Sequence, residues 1–436
     1  MTTQTHTTAA ASTTVAGPFP RDWVLVFGAL FVCAWSGNQF SPLLVMYREQ
    51  DHFSASTVTA FLGIYVVGLV PALIVSGSVA DRVGRRTPML VAVIAGLIGS
   101  ILLASEELGL RTIFLGRMFS GVAVGTATAV GTTWLKELSR RPFDPAADAS
   151  SGARRASLAF TLGSALGALV AGCIAQWGPW THSLPFLLHI VVTIPFLWLV
   201  RRPAETAPTL DDDVRGRGRF LVSSVRHRRF VRVVMICCPW LFIACGLSYG
   251  YQPVLLADAA GGLGLAYGTL LSVIALGTGA AVQPLAKRID SESSARGLLV
   301  SLAILVVGIV VMIAAVTTDS LLIGVVASIV FGVGFGIGLT SGLMEVQRIA
   351  PPAELARLTG IFYAVAYVGF AMPTVLAALT PPFTTLELLI ALAVLLGVSL
   401  GAIVYASQKH LPQMDPTQKG NPHQNGYPTQ KGPTHS

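Results

Sequence analysis

Twelve apolar stretches separated by short polar gaps take up most of this 436-residue chain. Crossing the hydrocarbon layer of a bilayer takes roughly 20 apolar residues in a helix. Runs that meet this need fall at 23–45, 54–80, 87–105, 112–135, 156–176, 184–200, 231–256, 263–286, 297–316, 321–344, 355–379 and 384–405. Hydrophobic residues make up 53% of the chain and charged residues 11%. That is more apolar surface than one soluble core absorbs, so lipid must solvate much of it. The expected fold class is an all-α membrane protein of twelve spans, with the lipid bilayer as its first partner. The first run begins too late, and lacks the small-residue cleavage site, to be a removable signal peptide. Residues 1–20 are mostly Thr and Ala, and 408–436 repeat Pro-Thr-Gln-Lys-Gly at 416 and 428. Both tails are expected to be disordered.

The basic residues give the orientation. Of 29 Lys and Arg, 26 fall in gaps on one side of the expected membrane, while Arg48 and Arg111 fall on the other and Arg117 lies inside the fourth span. Positive charge marks the cytoplasmic side, which places both tails and the 201–230 linker in the cytoplasm. The net charge of +8 is therefore a topology signal, and nucleic acid is not an expected partner. Cys33, Cys173, Cys237, Cys238 and Cys245 all sit inside spans without ligand spacing, so no metal site or disulfide is expected.

The gap between the second and third spans reads Gly77-Ser-Val-Ala-Asp81-Arg82-Val-Gly84-Arg85-Arg86. It resembles the signature loop of the major facilitator superfamily, Gly-x-x-x-Asp-Arg-x-Gly-Arg-Arg/Lys, at every specified position. A fainter copy, Pro284-Leu-Ala-Lys287-Arg288-Ile289-Asp290, lies 206 positions later. Glu137 at the end of the fourth span matches Glu345 at the end of the tenth, at an offset of 208, and Arg155-x-Ser157-x-x-Phe160 matches Arg357-x-Thr359-x-x-Phe362 at 202. The chain reads as a duplication, the device by which such transporters set one site between two bundles. The resemblance implies two pseudo-symmetric six-helix bundles, residues 21–200 and 231–407, joined by the 201–230 linker.

The same resemblance assigns gating to the signature loop. Asp81 is expected to face the start of the eleventh span near Leu355 and Arg85 to meet Glu137. Together with Gly77, Arg82, Gly84, Arg86 and the symmetry-related Glu345, they would form the charged latch of the cytoplasmic mouth. A helix N-terminus favours an anion, and a partly dehydrated pair gains over a wet one. The alternative is that these charges only mark topology and solubilise the turn. Lys287 stands where the second copy should carry its Asp.

Arg117 lies in Arg117-Met-Phe-Ser-Gly121-x-x-x-Gly125, which resembles the fourth-helix motif whose Arg serves proton coupling or substrate binding. A charge there is costly unless it turns toward polar partners or a watery path; snorkelling to the outer face is the simpler use. Gly163-Ser-Ala-Leu-Gly167-Ala168-Leu-Val-Ala171-Gly172 resembles the antiporter motif Gly-x-x-x-Gly-Pro-x-x-Gly-Gly, with Ala168 in place of the Pro that would kink the helix. Its small residues also suit plain helix packing. Asn38 and Gln39 in the first span, and Tyr249, Tyr251 and Gln252 in the seventh, are candidate substrate-path residues. His189 in the sixth is a candidate titrating group. Each of these residue types also serves packing and interhelical hydrogen bonding.

No Asp or Glu lies near the middle of the first span, which argues against a cationic solute. No Gly-Lys nucleotide loop is present, so ATP drive and cofactors are not expected, and neither is enzyme chemistry. The resemblance is to the drug or metabolite:proton antiporter branch. It implies a monomeric, proton-coupled exporter in the cell membrane for a small uncharged or weakly anionic apolar solute. An importer by symport or facilitation, and a non-transporting sensor on the same fold, are the alternatives.

Overall fold

The computed structural model describes residues 22–105, 107, 109–147, 151–206, 223–289, 291, 294–350, 354–380 and 382–410. The expected tail at 1–20, residues 411–436 of the tail expected at 408–436, the linker interior at 207–222 and Asp290 lie outside the described residues, while residues 408–410 continue the last helix. All regular structure among the described residues is helical. The first five crossings are α1 (Asp22–Glu49), α2 (Ala55–Val83), α3 (Arg86–Ala104), α4 (Leu110–Leu138) and α5 (Ser151–Trp177). A short sixth, α6 (Leu184–Leu199), follows. Then come α7 (Phe230–Leu255), α8 (Gly264–Ile289), α9 (Arg296–Thr317) and α10 (Leu321–Ile349). The last two are α11 (Leu355–Val368, continued by Met372–Leu379) and α12 (Thr385–His410).

Among the described residues, eleven helices have the length and apolarity to span a membrane; α6 differs. Pro185 opens it and Pro195 divides it into Leu184–Thr193 and Phe196–Leu199. It crosses nonetheless. His182, before α6, lies 3.2 Å from Asp51 after α1. Glu205, after α6, accepts hydrogen bonds from the backbone at Arg85 and Arg86 between α2 and α3. Since α2 separates Asp51 from Arg85, these contacts lie at opposite ends of the molecule, here the distal end and the signature end.

The helix pairing repeats with a shift of six. Within the first six helices α2 packs on α4, α3 on α4, α1 on α5 and α3 on α6; within the last six α8 packs on α10, α9 on α10, α7 on α11 and α9 on α12. Across the seam α5 meets α8 and α2 meets α11, a pair that exchanges under the same shift. The closest approaches also repeat. Gly121 and Gly125 of α4 let the backbone of α2 come in at Tyr65 and Leu69, and Gly332 and Gly336 of α10 do the same for α8 at Ala275 and Gly279. Small residues at fourfold spacing are how helices reach such contact where lipid gives no hydrophobic drive.

A side chain at Gly121 would overlap the Tyr65 carbonyl, whereas nothing lies within 4 Å of a Cβ at Gly77. We therefore expect Gly121→Val to cost about 1–3 kcal/mol or more by overpacking and to lower the melting temperature of the purified protein. Gly77→Ala should leave it unchanged.

Candidate functional site

At the signature end, α2 stops because Gly84 takes a φ of 91°, a left-handed conformation that glycine adopts without strain. The same position leaves no room for a Cβ, which would meet the Glu205 carboxylate at 2.6 Å. The turn delivers Arg85, 6% exposed, to the head of α3. Its Nη1 donates to Asp81 Oδ1 at 2.7 Å and its Nη2 to Glu137 Oε1 at 3.0 Å, with Nε to Glu137 Oε2 at 3.3 Å. Burial alone would lower the pKa of Arg85. Hydrogen bonds and charge from Glu137 and Asp81 outweigh it and raise the pKa above the ordinary arginine value. Arg82 is exposed.

The cluster extends into the linker in a way the motif does not reveal. Glu205 accepts from Arg85 N at 2.7 Å and Arg86 N at 3.1 Å, placing a carboxylate at the N-terminus of α3 where the helix dipole favours it. Arg86 Nε donates to the Pro203 carbonyl at 2.8 Å, Trp134 Nε1 to the Ala204 carbonyl at 3.0 Å, Ala204 N to Asp22 at 2.8 Å, and Thr206 Oγ1 to Glu137. The first residues after α6 are thus tied to α1, α3 and α4. No sequence signal singled out Glu205, because its partners are backbone N–H groups more than a hundred residues away.

The related place in the second half uses different residues. Glu345, 2% exposed, pairs with Arg229 just before α7 and with Arg348 at 2.9 Å. Ser224 donates through its N and Oγ to Glu354 at the head of α11. A cation from the linker's end therefore meets Glu345. Next to it, α2 and α11 run antiparallel. Thr374 Oγ1 donates to the Thr59 carbonyl, and Gly360 lies against the Leu73 carbonyl, the same interval on both helices. That register brings Leu355 to the level of Ser78, a turn from Asp81.

Arg117 lies within the α4 span, fully buried in the protein. Pro42 explains its position. Lacking an N–H, Pro42 leaves the Asn38 carbonyl without its helical donor, and Ser41 N turns to that carbonyl at 3.1 Å. The Gly37 carbonyl is thereby freed, and Arg117 Nη1 donates to it at 3.1 Å while Nε reaches the Phe61 carbonyl at 3.3 Å. The Phe40 and Tyr65 rings hold the guanidinium at 4.6 and 4.5 Å from their centroids. Nη2 has no partner, and among the described residues no carboxylate pairs with Arg117.

The other sequence candidates separate into two groups. Gln39 and His189 join a network inside the first six helices: Gln39 Nε2 donates to Ser100 Oγ at 3.0 Å, Ser100 Oγ lies 2.8 Å from His189 Nδ1, and His189 Nε2 lies 2.9 Å from the Val32 carbonyl. Val32 can only accept, so the chain of donors is complete with the His189 proton on Nε2. Asn38 donates to Ser164 of α5 at 3.0 Å. Gln252 ties α7 to the Gly324 carbonyl of α10 at 2.8 Å, and Tyr251 is buried. By contrast, Tyr249 lies at the seam, where Phe370 of α11 stands 5.8 Å from Tyr249 and 6.0 Å from Tyr65. Phe242 and Tyr367 continue this aromatic wall. Gly163 and Gly167 seat α5 on α1 at Phe31 and Trp35, and Gly172 seats it on Thr269 of α8. A 490 Å³ cavity between α2, α3 and α4 is lined by Val67, Pro71, Val75 and Val122; none of the orphaned buried polar atoms lines it.

Residues 26–374 match the Major Facilitator Superfamily. Sugar transporter ERD6-like 15 of Arabidopsis thaliana is 28% identical over 177 residues, 39% of this chain and 36% of that one. Dityrosine transporter 1 of Saccharomyces cerevisiae is 26% identical over 112 residues, 25% of this chain and 20% of that one. The chain thus spans about a fifth to a third of the curated relatives it matches. The crystal structure of the nucleoside transporter NupG superposes with a TM-score of 0.67 at 13% identity, covering 89% of this chain and all of that one.

Hydrogen bonds to charged groups contribute about 1.5–3 kcal/mol each. Glu205→Gln, which keeps the shape but removes the charge capping α3, should therefore lower the melting temperature of the purified protein, and Glu107→Gln, in the α3–α4 connection, should not. An unchanged melting temperature for Glu205→Gln would show that the linker does not fasten the loop.

Proposed function

The chain belongs to the major facilitator superfamily and is a multi-pass membrane transporter, and from that premise we propose that it is a proton-coupled exporter working by alternating access. Its solute is small, apolar, and uncharged or weakly anionic. The observation that carries this reading is the seam itself: aromatic rings from α2, α7 and α11 meet there, beside one buried guanidinium and no paired carboxylate. Such rings suit an apolar body, and among the described residues no carboxylate stands there to pair with a cation. The two moving bodies are residues 21–200 and 231–407. The Asp81, Arg85 and Glu137 cluster shuts the signature end, which the bias of basic residues places in the cytoplasm of a cell-membrane protein. The resemblance of the stretch holding Gly163, Gly167 and Gly172 to the antiporter motif supports the antiporter branch, while the seating of α5 on α1 and α8 by these glycines is what helix packing asks of them. The protein acts as a monomer.

A second reading, solute import by symport or facilitation, draws on the sugar transporter among the relatives. Direction separates the two. In proteoliposomes with an imposed proton gradient, export predicts that solute moves against the proton flux and stops when a protonophore collapses the gradient. Movement with the proton, or indifference to the gradient, overturns the reading. Asp81→Asn removes the charge that Arg85 grips, and we expect transport to fall about tenfold or more, in keeping with a loss of over 1.4 kcal/mol. Wild-type rates in a correctly inserted Asp81→Asn protein would remove the gating role.

A further inference from the structure

The charge on Arg117 is not answered by the fold. Two backbone carbonyls and two ring faces supply partial negative charge, yet a buried cation is stable only when a full counter-charge or a dense set of acceptors meets it. No side chain nearby can supply one. Among the described residues of the spanning helices, the acids Asp22, Glu49, Asp81, Glu137, Glu345 and Glu387 all lie within a few residues of helix ends. The unpartnered Nη2 atom has a surface below 1 Å² exposed, so bulk water does not solvate it in this state either. The missing negative charge has to arrive with the cargo.

We infer that the solute is a weak organic acid carried as its monocarboxylate, with one carboxylate oxygen on Arg117 Nη2 and its apolar body against the aromatic wall of Tyr65, Phe370 and Tyr249. This rests on the proposed transport function and narrows its solute class. One free guanidinium nitrogen matches a single-charged carboxylate; a phosphate dianion would bring a second charge and further oxygens for which no orphaned cationic donor remains among the described residues. Tyr65, Phe370 and Tyr249 pack edge to face and tilted on one another, with centroids 6.0 and 5.8 Å apart along the seam, and together form the apolar aromatic surface next to the guanidinium. Binding requires the ionised acid, so it weakens as the solute itself takes up a proton.

The test uses the full chain in nanodiscs and isothermal titration with benzoate and phenylacetate against their amides, benzamide and phenylacetamide. The acids should bind at least about 30-fold more tightly than the amides, the loss expected when one partner of a buried charge pair is removed. Arg117→Gln should abolish that preference and Arg117→Lys retain part of it. On lowering pH, binding should decline along the titration of each probe acid. Amides that bind as well as acids, acids that do not bind, or an Arg117→Gln protein that holds benzoate like wild type each overturn the proposal. If Arg117→Gln does not fold, the amide comparison and Arg117→Lys still decide it. Transport is scored separately in proteoliposomes. Carboxylate binding without gradient-driven movement sinks the exporter reading and leaves the site standing; gradient-driven movement of the amides alone does the reverse.

Discussion

Hydrocarbon offers no hydrogen bonds, so every polar group a helix carries into it has to be met by the protein. That constraint organises the first six helices around one residue that cannot donate. Pro42 shifts the bond of Ser41 to Asn38 and bares the Gly37 carbonyl. Arg117 answers it, reaching from α4 to α1 and, through Phe61, to α2. A proline and an arginine 75 positions apart in sequence thus fasten three helices at one depth. The glycines of α4 bring the α2 backbone close enough for that reach.

At the edge of the membrane the physics changes sign, because charge is affordable where water begins. Arg85 there joins Asp81 to Glu137, while Glu205 closes the exposed head of α3. The second half solves the same problem with Arg229 and Arg348 around Glu345. The backbone architecture repeats with a shift of six helices, and so does the corner carboxylate, Glu137 in one half and Glu345 in the other, but the cations that meet it do not. A linker fastened at Glu205 on one side and at Ser224 on the other belongs to both corners.

The pattern of long apolar runs made the helices legible, and their ends fell within a turn or so of the expected ones. The sixth crossing, already the shortest expected run at 184–200, ends at Leu199 and is divided at Pro195. The meeting of Arg85 with Glu137 was readable only through the resemblance of the loop, since nothing local links residues 52 positions apart. Glu205, Arg229, Tyr65 and Phe370 were not readable at all. Their partners lie on distant segments, and an aromatic residue in an apolar span carries no mark of which neighbour it will face. Gln39 and His189 show the converse: polar residues in mid-span that the fold uses to satisfy each other through Ser100.

The central claim is that two sets of six helices pivot about the seam, so that one end closes as the other opens. Paired spin labels measure this directly, in a chain whose five native cysteines are replaced. One pair, at Val79 and Thr359, reports the signature end; the other, at Ser56 and Thr380, reports the distal end. The account predicts that Arg85→Gln lengthens the first distance and shortens the second. Distances that stay fixed, or that lengthen together, would contradict it.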